Sequence, residues 1–170
     1  MNFLKRRWRE FILGLVNTLF CGTRMFAVKR ALLNSCANLH VGEGTKVVGP
    51  VKMGNCAKLQ VGAACWIGAG MTVLGDGTVT IGNCCDLAPE VAFITGSHEI
   101  ATSERRAGKG KTYTITVGDG CWIGARSSIT NSIAIDDGVV VGACSFVNKN
   151  VPSNTAVAGV PAKKIKELAQ

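Results

Sequence analysis

From Val41 onward an aliphatic residue falls at every sixth position, usually with glycine behind it. Val41, Val47, Met53 and Leu59 form one series, Val61, Ile67, Val73 and Val79 a second, and Ile81, Leu87 and Phe93 a third. Val117, Ile123, Ile129, Ile135, Val141 and Val147 resume it. A strand alone alternates with period two and a helix repeats near 3.6, so a sustained six predicts neither by itself. Each hexad reads instead as a short strand plus a corner, its aliphatic residue pointing inward and a small residue at its fifth position packing beside it. The register slips by two residues at Leu59-Gln60 and Val79-Thr80, so three hexads with a bulged corner make one turn. The predicted fold is an all-β solenoid over residues 39–152 whose coils stack as parallel strands about 4.8 Å apart. Counting a weaker start near Leu39, about five coils are expected.

Three stretches fall outside this period. Leu4, Trp8, Phe11, Ile12, Leu15, Val16 and Leu19 recur at three- and four-residue steps, which predicts an N-terminal amphipathic helix within residues 1–38, followed by a connector of no clear pattern. Between Phe93 and Val117 a polar insert, residues 99–114, protrudes from the solenoid directly after His98. Residues 153–170 read as a proline-bracketed turn and a short C-terminal helix.

Charge changes the picture at the N-terminus. Of the formal net +8, residues 1–30 carry +6 (seven basic groups against Glu10), leaving +2 for the solenoid. Such an arm suits an anionic lipid surface or an acidic partner, or simply a solvated helix face. The near-balanced remainder, with no aromatic-basic platform, argues against nucleic acid. Basic residues followed by Phe11–Phe20 imitate a signal peptide, but Phe20 stands where a small residue would precede Cys21, so the segment is expected to be retained. The uncharged run after it is too short for a bilayer. Of eight cysteines, Cys65, Cys85 and Cys121 share one repeat position, which reads as packing in a reducing compartment. No C-x-x-C pair suggests zinc.

The hexads, T-G-S-H at Thr95–His98, V-G-D-G-C-W-I-G-A at Val117–Ala125 and A-G-V-P-A-K-K-I at Ala158–Ile165 together resemble the hexapeptide-repeat acyltransferases. Within that family they resemble the maltose, galactoside and colanic-acid type O-acetyltransferases, over about residues 39–166. The resemblance implies a left-handed parallel β-helix, against the usual crossover hand. It also implies a homotrimer with active sites between subunits, acetyl-CoA as donor and a sugar or glycan acceptor; the cysteine pattern adds the expectation of a cytoplasmic protein, peripheral on the inner face of the membrane if the N-terminal arm meets lipid. His98 matches the family's general base, a task for which a neutral imidazole is well suited. Glu90 stands where relatives often carry Asn, and Glu99 adjoins His98; either is a candidate to orient the imidazole or bind the acceptor. Trp122 matches the family tryptophan near the acetyl group. Gly124, Ala125, Gly142 and Ala143 should line the pantetheine arm, and Lys149, Pro161, Lys163 and Lys164 match positions that meet the CoA nucleotide.

Other functions stay open at this level. An antibiotic or amino-acid acceptor would keep the same donor motifs. A non-catalytic scaffold would keep the hexads but has no use for His98, Trp122 and the C-terminal lysines together. A zinc carbonic anhydrase would need three imidazoles per metal, and the chain has only His40 and His98. Residues 3–20 could meet a membrane, pack on the repeats, or pack on a neighbouring subunit.

Overall fold

The computed structural model describes residues 2–169; Met1 and Gln170, the outermost residues of the expected arm and tail, lie outside them. Two helices come first, α1 (Phe3–Thr18) and α2 (Phe26–Asn34), and the solenoid follows. Its first coil is β1 (Leu39–Val41), β2 (Lys46–Val47) and β3 (Lys52–Met53); its second is β4 (Lys58–Val61), β5 (Trp66–Ile67) and β6 (Thr72–Leu74). The third coil is β7 (Thr78–Ile81), β8 (Asp86–Leu87) and β9 (Ala92–Ile94), after which β10 (Gly96–Ile100) and β11 (Ala107–Thr112) form the insert. The fourth is β12 (Thr114–Val117), β13 (Trp122–Ile123) and β14 (Ser128–Thr130), and the fifth is β15 (Ile133–Ile135), β16 (Val140–Val141) and β17 (Phe146–Val147). The chain ends with β18 (Thr155–Gly159) and β19 (Ala162–Glu167).

Equivalent strands pair in parallel to make three faces of a prism, β1-β4-β7-β12-β15, β2-β5-β8-β13-β16-β18 and β3-β6-β9-β14-β17. The period that defined the hexads becomes columns of touching aliphatic side chains. Leu39, Leu59, Val79, Ile115 and Ile133 stack in one column, and Val47, Ile67, Leu87, Ile123, Val141 and Val157 in another. All of these are buried, so the core is a continuous rod of small and branched side chains inside the prism.

Two expectations need correction. The solenoid has about six turns, not five, because Val151 bridges to Ile135 and β18 adds a sixth strand to the second face. The C-terminal segment is not a short helix: β19 turns back at Pro161 and pairs antiparallel with β18. Free backbone groups on β18 outweigh the helix-favouring Lys, Glu and Ala side chains of that stretch. The connector also contains α2, whose signal was hidden because Lys29, in its middle, is fully buried.

At the N-terminal end the first coil has no coil beneath it, and its backbone groups are met by side chains of the two helices. Asn17 of α1 bonds both the N–H and the C=O of Val51, each at 2.8 Å. Asn34 of α2 does the same for Val41, at 2.7 and 2.9 Å. Arg9 donates to the carbonyls of Ala57 and Gly54. The ammonium of Lys29 reaches Gly22 O and Val48 O, and burial pushes its pKa down. Ile12 and Val16 fill the apolar mouth between these contacts. Among the described residues no helix is long and apolar enough to cross a membrane.

The repeat position shared by Cys65, Cys85 and Cys121 is a column on Thr45, at the turn into the second face. The Cys65 N–H donates to Thr45 Oγ1 at 3.0 Å and the Cys85 N–H to the Cys65 sulfur at 3.3 Å. Hydrogen bonding with the Cys121 thiol pushes Cys85 up to about 11, and bonding with Cys85 draws Cys121 down. Bonding with Cys85, then burial, pushes Cys65 up.

Two outcomes follow from these contacts. Asn34→Ala removes both partners of Val41 and should cost about 1–3 kcal/mol of stability, read as a lower denaturation midpoint. In native protein, alkylation followed by mass mapping should label the exposed Cys21, Cys56, Cys84 and Cys144, and spare Cys36, Cys65, Cys85 and Cys121 until the protein is unfolded.

Candidate active site

The insert is a β-hairpin, and its root is held firmly. Thr95, wholly buried, donates through Oγ1 to Leu74 O at 3.0 Å and accepts from Gly77 N at 3.1 Å. Its carbonyl accepts from Tyr113 N at 2.8 Å, so both legs of the hairpin spring from one fixed point between the third and fourth coils. Three residues beyond Thr95, His98 lies on β10, directly across from Gly110 of β11. Directly opposed residues project on the same side of an antiparallel pair. Gly110 therefore leaves the flank of the imidazole bare, and a methyl group there would meet no atom within 4 Å. Neither crowding nor a left-handed backbone demands glycine at this position. Ser97 and Lys111 form the next pair, projecting on the opposite side of the hairpin from His98.

Neither candidate carboxylate hydrogen-bonds His98 among the described residues. Glu99 lies where the register shifts between His98 and Ile100. Glu90 sits in the corner between the second and third faces, in a left-handed conformation with φ of 63°. Its carboxylate receives the Nε–H of Arg126 at 2.5 Å, an exposed pair that strengthens the guanidinium's hold on its proton. Arg126 occupies the same corner one coil on, also left-handed at φ 59°. The sequence holds a signal for it in the coil register: Cys85 and Cys121 stack 36 residues apart, and the same step carries Glu90 onto Arg126.

On the second face the outward column runs Lys46, Trp66, Asp86, Trp122, Val140. Trp66 is partly covered by α2, its ring 5.9 Å from that of Phe26 and nearly edge-on. Trp122 has no such cover and stands 57% exposed. The hairpin leaves the prism where the third face passes into the first, which is the edge opposite the second face. The root of the hairpin that bears His98 and the face that bears Trp122 therefore lie on opposite sides of one prism.

Gly124, Ala125, Gly142 and Ala143 stack at the far edge of the second face, next to Glu90 and Arg126. The absence of a side chain at Gly124 and Gly142 has a cause inside the fold. A Cβ on Gly124 would lie 2.5 Å from the backbone N of Ala143, and one on Gly142 would lie 2.7 Å from Ala158 Cβ. The two glycines let coil approach coil. At the C-terminal end a cleft of about 160 Å³ brings Lys149 and Lys164 together with Asn148, Asn150, Pro152 and Ala162. Lys163 opposes Ala158 on the same antiparallel pair, and Pro161 forms its turn after a cis peptide. Lys164 Nζ donates to Glu167 Oε1 at 2.6 Å and holds that carboxyl below its usual range.

No protein-family model matches the chain. Among curated proteins, galactoside O-acetyltransferase of Escherichia coli is 34% identical over 128 residues, which is 75% of this chain and 63% of that enzyme's length. The putative colanic acid biosynthesis acetyltransferase WcaF of Escherichia coli is 29% identical over 164 residues, 96% of this chain and 77% of its own. Among solved structures, a hexapeptide-repeat acetyltransferase of Vibrio cholerae, complexed with acetyl-coenzyme A, superposes with a TM-score of 0.83 at 25% identity, covering 98% of this chain and 88% of that one. Fold agrees along nearly the whole length and sequence along most of it, so the chain is similar to the hexapeptide-repeat acetyltransferases and shares their β-helix architecture, while spanning less than two thirds of the galactoside enzyme.

Proposed function

We propose that the protein is an O-acetyltransferase that moves an acetyl group from acetyl-CoA directly to a hydroxyl of a sugar, in a surface polysaccharide or its lipid-linked precursor, with His98 as general base. The observation that carries this reading is the exposed imidazole of His98 on an anchored hairpin, with open space kept beside it by Gly110. His98 takes the hydroxyl proton as the oxygen attacks the thioester carbonyl. The tetrahedral intermediate collapses by breaking the C–S bond, and the proton passes to the departing sulfur, giving the ester and free CoA. No covalent intermediate on the enzyme is needed, so none of the cysteines takes part.

The hairpin of His98 is rooted on the edge opposite the face that bears Trp122, which supports sites built between two copies, as in a homotrimer. In that arrangement the hairpin of one copy brings His98 to the second face of the next. Trp122 flanks the acetyl group there, and the edge formed by Gly124, Ala125, Gly142 and Ala143 receives the pantetheine arm. Lys149, Lys163 and Lys164, with the Pro161 turn, take the nucleotide phosphates. Glu90, tethered by Arg126, and Glu99 are the carboxylates in reach of the acceptor or of the neighbouring imidazole. Acetyl-CoA as donor is supported by the acetyl-CoA complex of the Vibrio cholerae relative, and a sugar acceptor by the names of the galactoside and colanic-acid relatives.

The test is release of free thiol from acetyl-CoA against a panel of galactosides, lipid-linked sugars and hydroxylated antibiotics. His98→Ala should lower turnover on any accepted sugar by about 100- to 10,000-fold while acetyl-CoA still binds; turnover that survives the change would remove His98 as the base. Gly110→Val should raise the KM for the acceptor about tenfold or more. An unchanged acceptor KM would show that the acceptor does not lie along the bare flank of the imidazole.

A further inference from the structure

The apolar stripe of α1 is divided between two tasks. Ile12 and Val16, with the aliphatic stem of Arg9, are buried against the first coil. About a quarter turn around the helix, Leu4, Phe11 and Leu19 remain between 60% and 75% exposed, with Trp8 beside them at 47%. The Trp8 and Phe11 rings lie 5.8 Å apart, and Trp8 Nε1 is turned inward to Ser35 Oγ at 3.1 Å. The indole thus presents carbon outward. This is a contiguous row of large apolar groups, ordered before anything touches it. Arg9 and Asn17 pin the helix to the solenoid, and the Asn2 side chain caps its first turn by accepting from Lys5 N at 3.0 Å.

We infer that this face docks on an anionic membrane surface, with α1 lying in the plane of the headgroups. Charge selects the occupant. Lys5 borders the row on one side and Arg7 on the other, where their stems can run along the acyl boundary while the charges reach lipid phosphates. Arg6 and Arg7 share the single acidic residue of the helix, Glu10, at 3.6 and 3.1 Å, so the arm keeps a net excess of cations. A second copy of the chain would bring another N-terminal segment of net +6 against the first, and charged residues are depleted from the centre of protein interfaces. Anionic lipid instead neutralises each basic group with a favourable contribution. Helix ordering, which an interfacial peptide must supply on binding, is already complete.

The experiment is flotation of the full-length protein with vesicles of phosphatidylcholine containing about a third phosphatidylglycerol, compared with phosphatidylcholine alone. Binding should fall about tenfold or more on the neutral vesicles, and likewise in about 0.5 M salt. The double variant Leu4→Ser/Phe11→Ser, altered only at exposed positions, should keep its thermal midpoint and lose at least about tenfold in vesicle partitioning. Wild-type protein that ignores anionic vesicles, or a double variant that floats as well as wild type, would overturn the inference. Indifference to vesicles combined with a smaller assembly mass for the double variant, by light scattering, would assign the face to a subunit contact instead and equally overturn it. None of these readouts depends on acetyl transfer.

Discussion

Everything in this protein depends on one coil lying flat on the next. Parallel strands of successive coils are hydrogen-bonded at every rung, so any atom that stands up from a corner meets the backbone above it. A Cβ on Gly62 would lie 2.5 Å from the carbonyl of Gly82, and one on Gly68 would lie 2.7 Å from the carbonyl carbon of Ala88. The same spacing, inside the prism, selects aliphatic side chains that stack in columns without polar atoms. Corner and core are therefore two expressions of one distance. Corners that turn through left-handed backbone, such as Glu90 and Arg126, tolerate large residues only because the side chains point outward into solvent.

This constraint explains what could be read without coordinates. Inward positions admit few residue types, so the hexads showed the fold, the faces and the position of the insert. His98 stood out because it adjoined the only long break in the period. What escaped reading lies where the stacking rule lapses. The sixth turn was missed because Val151 bridges Ile135 only sixteen residues later, a shortened coil whose third strand is absent. The helix α2 was hidden by a buried lysine, which donates to one carbonyl of the connector, Gly22, and one of the first coil, Val48, rather than facing water. The strand β19 carries residues that favour helix and is strand only because β18 has free bonds to offer. The Glu90–Arg126 pair needed the coil register, which the inserted hairpin lengthens at that one place.

The candidate site draws on both kinds of element. Most residues proposed for the donor side are repeat residues, and two of them, Gly124 and Gly142, are small for the sake of the stack. His98, the proposed base, is carried on a hairpin that owes nothing to the period and is fixed at its root by Thr95. The hairpin springs from the edge opposite the second face, so its root and the face that bears Trp122 lie on opposite sides of one prism.

The polar side chains that close the first coil have a further meaning. A stack of parallel coils is by construction a template, since the face presented by each coil is what the next one pairs with, and an open end would recruit any similar strand without limit. Asn17, Asn34 and Arg9 occupy the acceptors and donors that such a recruit would need, and β19, running the opposite way, blocks the second face at the other end. The solenoid is thus a polymer architecture terminated at both ends, and its finite length is a property of a few capping side chains and one reversed strand rather than of the repeat itself.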